Sequence, residues 1–384
     1  MFKKKVLTIV LIAVFIVSIG LVGANCKATT TTTIAAAETT KDAGIDLDRE
    51  EKFILKSIKE VKQIAQLTGK ESINSTDKYL VHGTDLGSMF EHERKIYMVF
   101  GDTFGPRSKD TTGAGGDNWR SNVMAVISDE DPSDGIIFDT MITDDKGRAK
   151  ELIKAKKIDN LEITVIPTGG ISAKGSMYLF YMSVKKWGLP GEWTCNYAGM
   201  AKSADYGNTW IRKENITWPG NSGFIQVSPY KIGDDIFFWA IPSGRFGGVK
   251  LMKVKEVDIE DINSYLYYIG MDGKIPQWSP DMNDAVEIIG PPVGELSVMW
   301  NEYFQRWIMT YLNEKTRSIE IREGIDPWGP WNKGIAVCNA SDYPALYGAY
   351  MHPRFVENNG QIIYFAMSQW KPYNVFWMKA KLEK

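Results

Sequence analysis

The chain has 384 residues, 45 basic and 47 acidic, for a formal net charge of −2. The basic residues are scattered, so there is no electrostatic footprint for nucleic acid, and that partner class is excluded. Cys26, Cys195 and Cys338 are too few for a disulfide framework and lack the CxxC and His spacing of a zinc site. Cys195 and Cys338 could form one bridge or stand as two buried thiols.

Lys3, Lys4 and Lys5 precede an uncharged apolar run from Val6 to Ala24. Residues 1–25 are therefore expected to be a signal peptide or a membrane anchor, placing the remainder outside the cytoplasm, secreted or held on the outer face of the membrane. Membrane contact is expected only through this segment. Cys26 stands where a lipoprotein cysteine would, but Asn25 before it is an unusual neighbour for lipidation. Residues 26–48, rich in Thr and Ala, read as a flexible linker. Within residues 49–77, Phe53, Ile54, Ile58, Val61 and Ile64 recur at helical spacing between charges, which predicts a short amphipathic leading helix over Arg49 to Gln66.

From residue 78 to 384 the pattern is all-β: short runs of Val, Ile, Phe, Tyr and Trp between Gly, Asp, Asn and Pro turns. A strongly aromatic strand recurs five times, at Ile96–Phe100, Met177–Tyr181, Ile236–Trp239, Trp307–Tyr311 and Ile363–Met367, each behind a polar turn. Five such units predict a five-bladed β-propeller. The segment Ser203-Ala-Asp205-Tyr-Gly207-Asn-Thr209-Trp210 matches the Asp-box pattern S-x-D-x-G-x-T-W, a structural turn of sialidase-like propellers.

The innermost strands of a propeller line its axis, so polar residues near one end of them converge on a shared pocket. The candidates are Asp85 in the first unit, Gln226, Glu295, and His352 with Arg354, while the second inner strand, Ile163 to Thr168, is nearly apolar. A tight hairpin centred between Glu93 and Arg94 would set Asp85 directly opposite Asp102. Opposed Cβ atoms lie about 4.5–5.5 Å apart, so the two carboxyl groups could reach the roughly 5–9.5 Å separation used in glycoside hydrolysis. The competing reading is that both Asp residues cap turns beside glycines, and a register slip of one residue would undo the pairing. Trp119, Trp187, Trp193 and Trp370 fall in expected loops and could stack on sugar rings, or serve ordinary blade packing.

His82-Gly83-Thr84-Asp85-Leu86-Gly87, Phe100-Gly101-Asp102-Thr103-Phe104-Gly105 and Trp119-Arg120-Ser121-Asn122 resemble the domain-of-unknown-function family numbered 4185. Ser228-Pro229-Tyr230 and Gly348-Ala349-Tyr350 extend the resemblance, which spans Lys78 to Leu382. It implies a five-bladed propeller with paired acidic residues, similar to the endo-D-arabinanases of glycoside hydrolase family 183. The family's acidic residues fall on Asp85 and Asp102. His82, Trp119, Arg120, Asn122, Gln226, Glu295, His352 and Arg354 are then the expected substrate-binding residues. The expected function is an extracellular glycoside hydrolase acting on a furanose-containing cell-envelope polysaccharide; the alternative is a non-catalytic propeller that binds glycan or protein. No cofactor or catalytic metal is implied. Structural calcium is conceivable at Asp-rich loops such as Ser128-Asp129-Glu130-Asp131, where solvated turn charge is the simpler account.

Overall fold

A computed structural model describes residues 52–384 except Lys109. The expected signal or anchor segment and the Thr-rich linker lie outside the described residues. Among the described residues no helix is long and apolar enough to cross a membrane.

Each aromatic run forms the second strand of an antiparallel sheet, and there are five such sheets, arranged as a five-bladed propeller. The inner strands are Leu86–His92, Thr164–Ala173, Gln226–Ile232, Leu296–Asn301 and Leu346–Glu357. Each contacts the inner strands on either side, closing a ring. The second strands are Lys95–Phe100, Ser176–Trp187, Asp235–Ile241, Arg306–Asn313 and Ile362–Gln369. They are packed on both faces by neighbouring blades, so their sequences are continuous apolar runs and not alternating ones. Ile236 to Ile241, for instance, is buried throughout. Trp218, Trp239 and Trp377 fill the space between sheets and are fully buried.

The expected leading helix is not formed. Ser57–Gln66 is a β-strand that pairs antiparallel with Asn374–Glu383 and completes the fifth blade from the opposite end of the chain. Its helix-like spacing has a local cause. The register shifts between Lys59 and Lys62 and again between Gln63 and Ala65, and Glu60 sits at a φ of 51°. Each bulge inserts an extra residue, so inward positions fall three apart, at Ile58, Val61 and Ile64. The propeller thus begins well before residue 78. The buried Glu323 carboxylate of the fourth blade accepts hydrogen bonds from the Ile54 and Leu55 amides, at 2.9 and 2.8 Å, fixing the entry of this strand.

The Asp-box turns the chain between Trp193–Ser203 and Ile211–Pro219. Asp205 accepts from Ser203 Oγ, Thr209 N and Thr209 Oγ1, while Gly207 takes a φ of +84°. Ser203 pairs with Met177, beside the hairpin that ends the second inner strand, so this motif decorates the face of the propeller on which the inner strands end. Cys195 and Cys338 are free thiols in the second and fourth blades, and burial pushes them up to about 11 and about 12.

Candidate active site

The chemistry gathers at the opposite face, where the inner strands begin. Asp85 immediately precedes the first inner strand, Glu295 the fourth, and Thr164 and Tyr347 lie in the opening residues of the second and fifth. Asp102 follows the second strand of the first blade and opens the long connection that runs to Val123.

The first hairpin turns at Glu93 and Arg94, both with positive φ, as a two-residue turn of the expected kind requires. From Ser88 to His92 the register is the expected one, with Met89 opposite Met98. It then slips at a bulge formed by Leu86 (φ 68°) and Gly87 (φ 109°), so Leu86 pairs with Phe100. The Gly101 amide donates to the Asp85 carbonyl, and Asp85 therefore faces Gly101, not Asp102 as the simple register implied. The two Asp residues still lie near one another at this end of the axis, close enough for the Asp102 charge to act on Asp85. The Asp85 carboxyl crosses Gly101, where a Cβ would stand 2.4 Å from Oδ1, and the Tyr373 hydroxyl donates to the Asp102 carbonyl at 3.1 Å.

The side chains then splay toward different blades. Asp85 Oδ2 accepts from the Tyr347 hydroxyl of the fifth blade at 3.0 Å, and Oδ1 has no partner. Asp102 Oδ1 accepts from Thr164 of the second blade at 2.6 Å and from Trp119 Nε1 at 2.7 Å. Trp119 stacks on Phe104, and the Lys157 ammonium lies 4.1 Å from the centre of its ring. Burial, and after it the negative charge of Asp102, pushes the Asp85 carboxyl up to about 7. Burial also raises Asp102, to about 6, opposed by the Thr164 and Trp119 hydrogen bonds and by the Lys157 charge. Two carboxyl groups with different surroundings are thereby both raised toward neutrality, to different extents.

Glu295 is the third carboxylate here. Its Oε1 is held by Arg245 Nη2 at 2.8 Å and Nε at 3.0 Å, while Oε2 is buried without a partner. Arg245 also bonds Glu314 and lies over the Tyr347 ring, 4.9 Å from its centre. The Glu295 charge is felt at Asp85, whose carboxyl it raises further. Burial and the neighbouring Asp85 carboxylate keep the Tyr347 and Tyr373 hydroxyls protonated by raising both well above a free phenol.

The other expected substrate-binding residues fall in three places. Arg120, Asn122 and Gln226 are buried, with their polar atoms bound to the backbone. Arg120 caps the Asn118, Ala149 and Leu80 carbonyls; Asn122 bridges Leu152 and Ile153 to Val165; Gln226 donates to the Pro242 and Gly244 carbonyls. These bonds tie the three side chains to the loops around the site. His352 and Arg354 sit further along the axis, on a cavity of about 370 Å³ that also reaches Ser88, Ser228 and Tyr230. His352 Nδ1 accepts from the Arg354 amide, and burial lowers the imidazole to about 3, so it is neutral. Arg354 ties the Arg94 carbonyl to Glu130. His82 is half-buried, with its charge environment set by Asp77, Arg120, Lys70 and Arg107.

Among the described residues no group of three or more His, Cys, Asp or Glu side chains is placed to hold a metal ion. In the Asp-rich loop, Asp129 accepts from the Asp131 and Ile137 amides, and Asp131 from the Ser133 amide, as ordinary turn-forming carboxylates do.

This chain belongs to the family described as Domain of unknown function (DUF4185), whose pattern matches residues 71–379. Two fungal relatives share 28% identity with it. They are Notoamide biosynthesis cluster protein J of Aspergillus sp. (strain MF297-2), aligned over 78% of this chain and 83% of its own length, and protein J' of Aspergillus versicolor, over 78% and 84%. Among solved structures, a candidate hydrolase of Bacteroides ovatus ATCC 8483 superposes with a TM-score of 0.57 at 11% identity, covering 79% of this chain and 87% of that one. The exo-beta-1,3-galactanase Pc1,3Gal43A of Phanerochaete chrysosporium, solved with galactose, gives 0.51 at 10% identity, covering 83% and 64%. At such identities the likeness establishes the propeller fold.

Proposed function

We propose that this protein is a glycoside hydrolase that cleaves a furanose-containing polysaccharide of a cell envelope, with Asp85 as general acid and Asp102 as general base. One observation carries the reading: two buried carboxyl groups stand where the inner strands begin, near enough that the Asp102 charge raises Asp85, one raised to about 7 and the other, hydrogen-bonded by Thr164 and Trp119, raised less, to about 6. Support for a sugar substrate comes from the propeller likeness to a galactanase and from the resemblance of the Asp85 and Asp102 motifs to arabinanase-like sequences.

Protonated Asp85 donates its proton to the glycosidic oxygen as the bond to the anomeric carbon breaks. Asp102 takes a proton from a water molecule that forms the new bond to that carbon on the opposite face. The outward splay of the two side chains, toward Tyr347 and toward Thr164, favours the wider spacing of about 6.5–9.5 Å that leaves room for this water, and hence inversion. Glu295, fixed by Arg245, adds a negative charge that helps Asp85 retain its proton. The Lys3 to Ala24 segment, outside the described residues, supports action beyond the cytoplasm.

The test is incubation of the soluble domain with D-arabinan, L-arabinan, xylan and β-1,3-galactan, with chromatography of released oligosaccharides. Release from a furanose polymer is expected. Absence of product from every polymer rules the reading out.

A further inference from the structure

Beside the carboxylates, on the same face, two loops enclose an open cleft of about 410 Å³. One loop links Ser176–Trp187 to Trp193–Ser203 in the second blade; the other links Asp235–Ile241 to Gly247–Lys255 in the third. The cleft is walled by Trp187, Trp193 and Phe246, with Lys186, Glu192, Thr194 and Ser243 among its polar lining. Trp187 and Phe246 are 42% and 49% exposed, an unfavourable placement for two large rings unless something covers them.

The loops form one body. The Arg245 amide donates to the Gly191 carbonyl at 3.0 Å, and Phe246 packs over Gly191, whose φ of +80° suits glycine and where a Cβ would stand 3.1 Å from the Phe246 ring. Trp187 and Trp193 meet edge to face with centroids 5.7 Å apart. Trp193 is nine-tenths buried, yet its Nε1 has no hydrogen-bond partner. The same Arg245 reaches into the carboxylate chamber: its guanidinium lies 5.9 Å from the Trp193 ring centre and 4.9 Å from that of Tyr347, and it grips Glu295. One side chain thus links the wall of the cleft to the carboxylates.

Aromatic faces set within a polar rim match the chemistry of a sugar, which presents C–H groups on its ring face and hydroxyls at its edge. We propose that this cleft is a distal subsite that holds the glycan chain as it runs away from the bond to be cut, with Trp187 and Phe246 as stacking platforms. The proposal rests on the hydrolase reading for the identity of its occupant, but it predicts binding independently of turnover. It implies a protein that acts within long chains and gains affinity from residues away from the scission point.

Affinity electrophoresis in gels containing D-arabinan, L-arabinan, xylan or β-1,3-galactan tests it, using wild type, Asp85→Asn and a Trp187→Ala/Phe246→Ala double variant. Thermal melts should show all three folded, since both rings are exposed. Wild type and Asp85→Asn should be retarded by one of the polymers, and the double variant should bind that polymer about tenfold more weakly or worse. Retardation of the double variant equal to wild type overturns the proposal, as does a wild type retarded by none of the four. If wild type is retarded but releases no sugar, the hydrolase reading fails while the subsite stands.

Discussion

The carboxyl of Asp85 lies directly across Gly101, so close that a methyl group on residue 101 would stand 2.4 Å from Oδ1 and 3.1 Å from a Leu86 methyl. Gly101 is therefore required by the side chain it faces. Gly101→Ala should displace the Asp85 carboxyl and lower turnover by about 10²-fold or more, with a stability cost of about 1–3 kcal/mol from the added volume. Steady-state assays beside a thermal melt will check both.

The rate should follow a narrow bell in pH. The acid limb, near about 6, reports ionisation of Asp102, and the alkaline limb, near about 7, reports loss of the Asp85 proton. The limbs are properties of the coupled pair. Neighbours give the alkaline limb a sign: Glu295→Gln removes a negative charge that raises Asp85 and should move it to lower pH. Tyr347→Phe removes a hydrogen bond that favours the carboxylate and should move it to higher pH. Profiles of kcat/KM for the three proteins distinguish these directions.

Stability carries an independent signature of the same burial. Asp85 titrates near 3.8 when unfolded and near about 7 in the folded protein. Between these values the folded state binds more protons, so this contribution is complete below 3.8 and is lost as pH rises through 7. Asp85→Asn escapes that loss. It should melt several degrees above wild type at pH 8, with the difference shrinking toward pH 4, as calorimetry across the range would show.

Closure of the ring depends on a buried carboxylate remote from the chemistry. Glu323 is fully buried and accepts the Ile54 and Leu55 amides that lead into the closing strand. Glu323→Ala leaves those donors unpaired and should cost about 2–3 kcal/mol, read by denaturant unfolding, without shifting the pH limbs of activity.

The sequence disclosed the repeat because the second strands are buried on both faces, which forces aromatic and branched residues into unbroken runs such as Ile236 to Ile241. It misled at Ser57–Gln66, where two bulges give a strand the spacing of a helix. Asp85 and Asp102 were legible from their glycine-rich motifs, but their relation was not, since the bulge at Leu86 and Gly87 moves the register by one. Buried polar residues such as Asn122 and Gln226 look like ligand groups in sequence, because a side chain that serves backbone carbonyls has the same composition as one that serves substrate. Tyr347, Tyr373 and Arg245 come from distant blades and loops, and no local pattern joins them to Asp85. Only the Gly348-Ala349-Tyr350 motif beside Tyr347 hinted at that part of the chamber.

The proposed two-carboxyl mechanism with an intervening water carries a stereochemical prediction. Proton NMR during the first minutes of hydrolysis should show the anomer inverted relative to the substrate linkage; retention would place a nucleophile where the account has a water.

The central claim is most directly tested by measuring oligosaccharide release by wild type, Asp85→Asn and Asp102→Asn on the polymer that wild type degrades. The account predicts a loss of about 10²–10⁴-fold in each variant with the fold intact, since neither change alters side-chain size. Turnover in both variants equal to that of wild type would contradict it.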